Sequence, residues 1–229
     1  MNRRFLIILI SLVLGFCLSC NTNKVECYGN CYTGFGEKKW SDGGHDKGNW
    51  KEGEMVGYGE QYFGSTSEFA GDTYAGQFGE GGYNGYGKYY SKKSDGLLVG
   101  YWKKGKPNGY GKSTLKIHSP NPLVYYEGNW KDGKPGGFGK MNFDNGKIKY
   151  KYEGDFVDGL FDGMGDFYPP DGTHYKGHFT RGFKDGEGVI YFNEGKIIYA
   201  YKGTWINDES EGFEKFKRSA DRGLLRSPR

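Results

Sequence analysis

Helix signals are missing from this 229-residue chain: no stretch after residue 20 carries a sustained helical period with caps, which argues against helical and mixed architectures for its body. Large aliphatic side chains are too sparse in any one segment to build a closed two-layer core. Cysteine is limited to four residues, and the body has no charge excess. The formal charge of +4 sits near the C-terminus, where Phe213 to Arg229 holds six basic residues (Lys215, Lys217, Arg218, Arg222, Arg226, Arg229) against two acidic ones (Glu214, Asp221). Without that stretch and two arginines near the N-terminus the chain is close to neutral. Nucleic-acid binding by the body is therefore not expected, since it calls for a basic face making several phosphate contacts. No serine or cysteine nucleophile stands with a recognisable base, and no non-repeated segment is long enough for an appended catalytic domain. A non-enzymatic protein is expected.

What the chain does have is glycine, 42 residues of it, and 18% aromatic side chains. Disordered chains lack aromatics, and the glycines follow no three-residue collagen period. Glycine with Tyr, Phe and Trp suits strands whose bare backbone lies beneath rings. One frame recurs seven times, its leading glycines being Gly48, Gly76, Gly100, Gly128, Gly154, Gly177 and Gly203, spaced by 23 to 28 residues. Two positions after each stands an aromatic: Trp50, Phe78, Trp102, Trp130, Phe156, Phe179 or Trp205. Nine positions after each stands a second glycine: Gly57, Gly85, Gly109, Gly137, Gly163, Gly186 or Gly212. A third follows in six of the seven, at Gly59, Gly87, Gly111, Gly139, Gly165 and Gly188. Such strict register describes a stack of one small unit. In the fourth unit, alternation puts Tyr126, Gly128 and Trp130 on one strand face and Glu127, Asn129 and Lys131 on the other. Gly137, Gly139, Met141 and Phe143 share a face of the next strand, across a turn rich in Gly, Pro and Asp.

These residues, of the form Tyr-x-Gly-x-Trp-x-x-Gly-x-x-x-Gly-x-Gly, resemble the MORN repeat family over about residues 28 to 217. The resemblance implies an all-β fold, with consecutive antiparallel hairpins laid side by side in an elongated, trough-like single-layer sheet. Gly29 to Gly36 reads as a shortened N-terminal unit. Asp46 replaces the leading tyrosine of the first full unit, while Asp208 and Glu214 stand where the last unit would carry glycines. Stability is expected from aromatics packing over glycines of neighbouring strands.

Other readings of the same letters fail on context. Gly111, Lys112 and Ser113 have the letters of a phosphate loop but lie within a strand of the third unit, with no helix to open. His174 and His178 sit roughly 13 Å apart on a strand, too far to share an ion, and His45 and His118 have no evident partner, so surface histidines and no metal site are expected. Glu127 with Glu153, or Asp132 with Asp158, would resemble a glycosidase pair, yet each pair occupies equivalent offsets in neighbouring units. No cofactor and no small-molecule substrate emerges.

The N-terminus differs. Arg3 and Arg4 precede an apolar run from Phe5 to Leu18, too short for a comfortable membrane span and suited to an export signal. Leu18, Ser19 and Cys20 resemble the end of a bacterial lipobox, with Cys17 in place of the usual leucine; an ordinary cleaved signal is the alternative. The twin arginines resemble a twin-arginine signal, while the very apolar run favours the general secretory route. Residues 1–19 are thus expected to be removed, with Cys20 acylated (palmitate included), 20–27 a tether, 28–217 the repeat array and 218–229 a basic disordered tail. Asn21 in place of aspartate favours the outer membrane where there is one. Cys27 and Cys31 form an even pair in an exported chain and are expected to be disulfide-bonded, provided Tyr28, Gly29 and Asn30 turn.

The resulting expectation is a lipid-anchored envelope protein that scaffolds protein binding or self-association. Alternatives are a module contacting phospholipid surfaces and one binding glycans through exposed rings. The in-register rings read as structural, whereas Tyr58, Tyr83, Tyr86, Tyr101 and Tyr110 are freer to bind.

Overall fold

The computed structural model describes residues 24–116, 123–194 and 197–219. The export signal, Cys20, His118 and the tail after Ser219 lie outside the described residues. The described chain is all β, with sixteen strands and no helix: β1 Val25–Gly29, β2 Gly34–Trp40, β3 His45–Lys51, β4 Glu54–Tyr62, β5 Thr73–Gly79, β6 Gly82–Ser91, β7 Gly96–Lys103, β8 Lys106–Lys116, β9 Leu123–Lys131, β10 Lys134–Asp144, β11 Lys149–Val157, β12 Leu160–Tyr168, β13 His174–Thr180, β14 Phe183–Glu194, β15 Ile197–Ile206 and β16 Glu209–Ser219. β1 begins within the segment expected to be a tether, and β16 runs two residues into the expected tail.

The chain forms two compact units, one ending at Lys134 and one starting at Pro135. In each, sequence neighbours pair antiparallel in chain order, β1 to β9 in the first and β10 to β16 in the second. Hairpin turns explain the regular acidic and basic residues between strands. Asp132 (φ 50°), Asp158 (φ 51°), Lys104 (φ 49°) and Arg181 (φ 49°) each precede a glycine and hold the left-handed conformation a two-residue hairpin turn demands. The turn glycine then reaches across to the preceding hairpin: the Gly105 N–H donates to the Tyr83 carbonyl (3.0 Å), Gly133 to Pro107 (2.9 Å) and Gly182 to Phe161 (2.8 Å).

The repeat frame contains two kinds of glycine. The leading and third glycines face each other across strands, as in Gly76↔Gly87, Gly154↔Gly165 and Gly177↔Gly188. The leading tyrosine folds back over this bare pair. A Cβ on Gly87, Gly165 or Gly188 would lie within 2.6 Å of three atoms of Tyr74, Tyr152 or Tyr175 respectively, so only hydrogen fits. The tyrosine hydroxyl donates to the carbonyl three residues on: Tyr74 to Gln77 (3.0 Å), Tyr126 to Asn129 (2.7 Å), Tyr152 to Asp155 (2.9 Å) and Tyr175 to His178 (3.1 Å). Where the leading tyrosine is absent, the third glycine is less confined. A Cβ on Gly59, in the Asp46 unit, would find its nearest atom at 3.0 Å, and on Gly111, in the Leu98 unit, at 3.1 Å.

The second glycine serves the backbone instead. Gly85 (φ 109°) and Gly163 (φ 105°) lie in β-bulges, where β6 and β12 carry extra residues against β5 and β11. The expectation that frame glycines make room for rings therefore applies to the first and third only.

Within each unit the rings pack into a layer on one face. In the second unit Tyr152 stacks on Phe161 at 3.7 Å between centroids and meets Phe156 and Phe179 edge-on, both at 5.2 Å. The first unit repeats this with Tyr74 stacked on Tyr83 at 3.6 Å and Phe78 and Trp102 edge-on. Such contacts contribute about 0.5–1.5 kcal/mol each beyond area burial.

Asp46 is the exception in this layer. Its carboxylate is largely buried, and Oδ1 has no hydrogen-bond partner. Burial raises its pKa to about 6, against the opposing pull of Gln61 and Lys38. Gln61 is held in turn by the Tyr83 hydroxyl at 2.5 Å.

Two predictions follow from this layer. Gly165→Ala is expected to destabilise the second unit by about 1–3 kcal/mol, and the cost should shrink in a Tyr152→Leu background, where no ring covers the site. Urea unfolding of the four proteins of that cycle measures the coupling, and simple additivity would refute the ring-over-glycine account. For Asp46 the folded-state pKa lies above the unfolded value of 3.8, so its stabilising contribution is complete below about pH 4 and lost as pH rises through about 6. Asp46→Asn should therefore stabilise the first unit at pH 7.5 by on the order of 2 kcal/mol and flatten its melting profile between pH 5 and 7.5. Tryptophan fluorescence melts suit the test, because four of the five tryptophans (Trp40, Trp50, Trp102, Trp130) lie in that unit.

Candidate interaction surface

The ring-bearing face offers little to a partner, because its side chains cover one another. All seven frame rings are buried, from 1% exposed at Phe156 to 9% at Phe78. Tyr83, grouped above with the freer tyrosines, belongs here too: it is buried against Tyr74, and burial is the first cause of its raised pKa.

The opposite face of the first unit is different. On β4, β6 and β8 the residue between the second and third glycines, Tyr58, Tyr86 or Tyr110, points outward from a bulge, and Phe35 holds the same position on β2, where the pairing runs without a register shift. These side chains are between 49% (Tyr110) and 64% (Tyr58) exposed. Their cross-strand neighbours are Asn49, Gln77, Tyr101 and Asn129. The row thus sets rings beside amides, with one ring pair, Tyr86 and Tyr101, meeting edge to face at 5.5 Å. Gln77 has a structural task as well, its Oε1 accepting the Tyr86 N–H left over by the bulge at 2.9 Å. In the second unit the corresponding positions carry Phe138, Met164, Glu187 and Phe213, two rings among four. Beside Tyr101 lies an open depression of about 430 Å³ whose lining includes Glu80, Asn84, Lys103, Lys104 and Asn108.

Next to the aromatic row in the first unit runs a row of charges, Glu37, Lys47, Glu60, Lys88, Lys112 and Glu127, three of each sign. Lys112 pairs with Glu127 at 2.9 Å. The Tyr110 hydroxyl also donates to Glu127, as does Tyr125 at 2.5 Å. These hydrogen bonds, Tyr110 foremost, draw the Glu127 pKa down to about 2. A carboxylate held this firmly ionised is a poor general acid. Glu153 is likewise paired, with Lys140 at 2.9 Å. Asp132 and Asp158 are turn residues, as described above.

The second exposed feature is an edge. Among the described residues β1 pairs with β2 alone, leaving its other side without a strand. Asn30 N–H donates to the Phe35 carbonyl and Ser41 N–H to the Lys24 carbonyl, so the even-numbered residues of β1 bond to β2. The N–H groups of Val25, Cys27 and Gly29 consequently face outward. Val25, Tyr28 and Tyr32 are exposed along this edge. The segment after β1 turns because Gly29 takes φ 83° and the Asn30 side chain accepts the N–H groups of Tyr32 (3.1 Å) and Thr33 (2.8 Å). That turn brings Cys27 and Cys31 to a Cα separation of 6.1 Å, where they form a disulfide.

The histidines have partners that spacing alone did not show. His174 stacks between Tyr168 and Tyr191 and contacts Asp166 at 2.6 Å, and His45 stacks on Tyr62. Among the described residues no group of three or more His, Cys, Asp or Glu could hold a metal ion. Lys112 lies on β8 in its ion pair, away from any helix terminus.

No curated protein matches the chain. The family model described as MORN repeat matches residues 47–67, 99–117, 126–148, 152–174 and 175–197, in both units. The hairpins whose tyrosines, glycines and tryptophans are described above are, at these five positions, MORN repeats.

Proposed function

We propose that this chain is a non-enzymatic scaffold of the cell envelope, anchored by a bacterial-type lipid modification at Cys20, whose MORN repeats engage a protein partner or a second copy of the chain. The observation that carries this reading is the open β1 edge. Outward N–H groups on a strand flanked by exposed Val25 and Tyr28 are a ready template for strand addition, in which backbone bonds supply affinity and side chains supply choice. The proposed anchor fits that role. Five residue steps separate Cys20 from Val25, a reach of at most about 18 Å, so the edge would lie near the membrane where a neighbouring anchored copy would meet it.

Val25→Pro tests the edge directly, because it deletes an outward N–H and leaves the bonds to β2 in place. Sedimentation of the full chain in detergent, with cross-linking in envelope extract, should show association that this substitution abolishes while the disulfide is retained. Association unchanged by Val25→Pro, or a chain that stays monomeric and cross-links to nothing, would overturn the reading. The anchor is tested separately: Cys20→Ala should abolish acyl labelling and release the chain from membranes.

A further inference from the structure

The outward aromatic row of the first unit lies away from the β1 edge and calls for a ligand of its own. Tyr58, Tyr86 and Tyr110 stand on alternate strands, so successive rings are about 10 Å apart across the sheet. That interval matches the two-residue repeat of a flat β-1,4-linked sugar chain, whose pyranose rings present apolar C–H faces to aromatic side chains. Protein side chains have no such fixed repeat perpendicular to a sheet. Between Tyr58 and Tyr86 stands the amide of Gln77, between Tyr86 and Tyr110 the ring of Tyr101, and beyond Tyr110 the amide of Asn129.

The row contains no ionised side chain, and the adjacent row balances three carboxylates against three lysines, with Lys112 and Glu127 directly paired. On the other flank of the row stand exposed Lys51, Lys103 and Lys131, so the choice of an uncharged polymer rests on the ring interval and not on charge. The depression of about 430 Å³ beside Tyr101 adds a place for a substituent on the sugar. Asn84 and Asn108 line it, and a side-chain amide complements the one N–H and one C=O of an acetamido group.

We infer that the outer face of β4 to β9 binds an uncharged β-1,4-linked N-acetylhexosamine chain lying across the strands, with rings stacked on Tyr58, Tyr86 and Tyr110 and an acetamido group in the depression beside Tyr101. This goes beyond the scaffold reading and uses a different surface.

The test is calorimetry on the full chain in detergent, using the hexamer and dimer of β-1,4-linked N-acetylglucosamine and cellohexaose. The hexamer should bind and the dimer should bind far more weakly, since only the longer chain spans three rings. Tyr86→Ala should weaken the hexamer by about tenfold or more, and Tyr86→Phe, which keeps the ring, should stay near the parent. Asn108→Ala should reduce hexamer binding while leaving any weak affinity for cellohexaose unchanged. Equal binding of the two hexamers would overturn the acetamido assignment. Absence of hexamer binding by the parent chain would overturn the proposal outright, and so would loss of self-association on Tyr86→Ala, which would make the face a protein interface. Because Val25→Pro should leave hexamer binding intact, failure of the edge and failure of this face are separable. Melting temperatures of the tyrosine variants near that of the parent establish that any loss of binding is local.

Discussion

Everything in this protein depends on a tyrosine lying over two glycines. Gly154 and Gly165 face each other across β11 and β12, and the Tyr152 ring covers the bare backbone of both. A single-layer sheet cannot bury large side chains against a second layer, so its apolar surface must be hidden by the sheet's own side chains. Folding the ring down onto glycine does this. It brings Tyr152 within stacking distance of Phe161 and directs its hydroxyl to the Asp155 carbonyl, so that this hydroxyl is paired. The two units where the device is modified show its logic from the other side. Leu98 and Asp46 replace the tyrosine, and the third glycines of those units, Gly111 and Gly59, lose the tight confinement seen elsewhere.

The same economy shapes the outer face. Extra residues on the second strand of each hairpin are accommodated at a bulge whose glycine takes positive φ, and the residue after that glycine is pushed outward. The position therefore lies outside the buried ring layer and varies from repeat to repeat. In the first unit it is aromatic throughout, at Phe35, Tyr58, Tyr86 and Tyr110, while in the second it is Phe138, Met164, Glu187 and Phe213. A structural requirement would hold it constant in both. An unbroken run of rings, with tyrosine at three successive hairpins, is found in the first unit, and the proposed ligand contact rests on that run.

Much of this was legible beforehand, because the frame is written in spacing. Period-two alternation placed Tyr126, Gly128 and Trp130 on the buried face, and the MORN repeat pattern implied the hairpins. What spacing could not show was which glycines yield to rings and which to backbone, since Gly163 and Gly165 read alike as letters and differ only in φ. Tyr83 and Tyr86 were separable, since alternation carries Tyr83 onto the face of Gly85, Gly87 and Tyr89 and leaves Tyr86 on the other; grouping them by their place outside the frame missed it. The tyrosine hydroxyl bonds did leave a signal, a fixed offset from Tyr to the residue three positions on. They were invisible because the acceptor is a backbone carbonyl, which no side-chain identity reports. His45 and His174 were missed for a related reason, their stacking partners Tyr62, Tyr168 and Tyr191 being cross-strand neighbours that register alone brings together.

A repeat protein of this kind divides its surfaces by necessity. One face is consumed in holding the sheet together, so recognition falls to what the packing leaves over, the edge and the outward bulge positions. The two differ in the selectivity they can build. An edge offers backbone groups common to all sequences, and β1 adds only short-range choice through Val25 and Tyr28. The bulge positions offer one side chain per repeat at an interval set by two strand widths. An interval imposed by the backbone is rigid, and a rigid ladder of rings matches ligands that are themselves stiff and periodic, because neither side then loses much conformational freedom on binding. Flexible peptides gain little from such a ladder and more from the edge. The proposed division of labour between the β1 edge and the Tyr58–Tyr86–Tyr110 row thus follows from the device that makes the sheet stable in the first place.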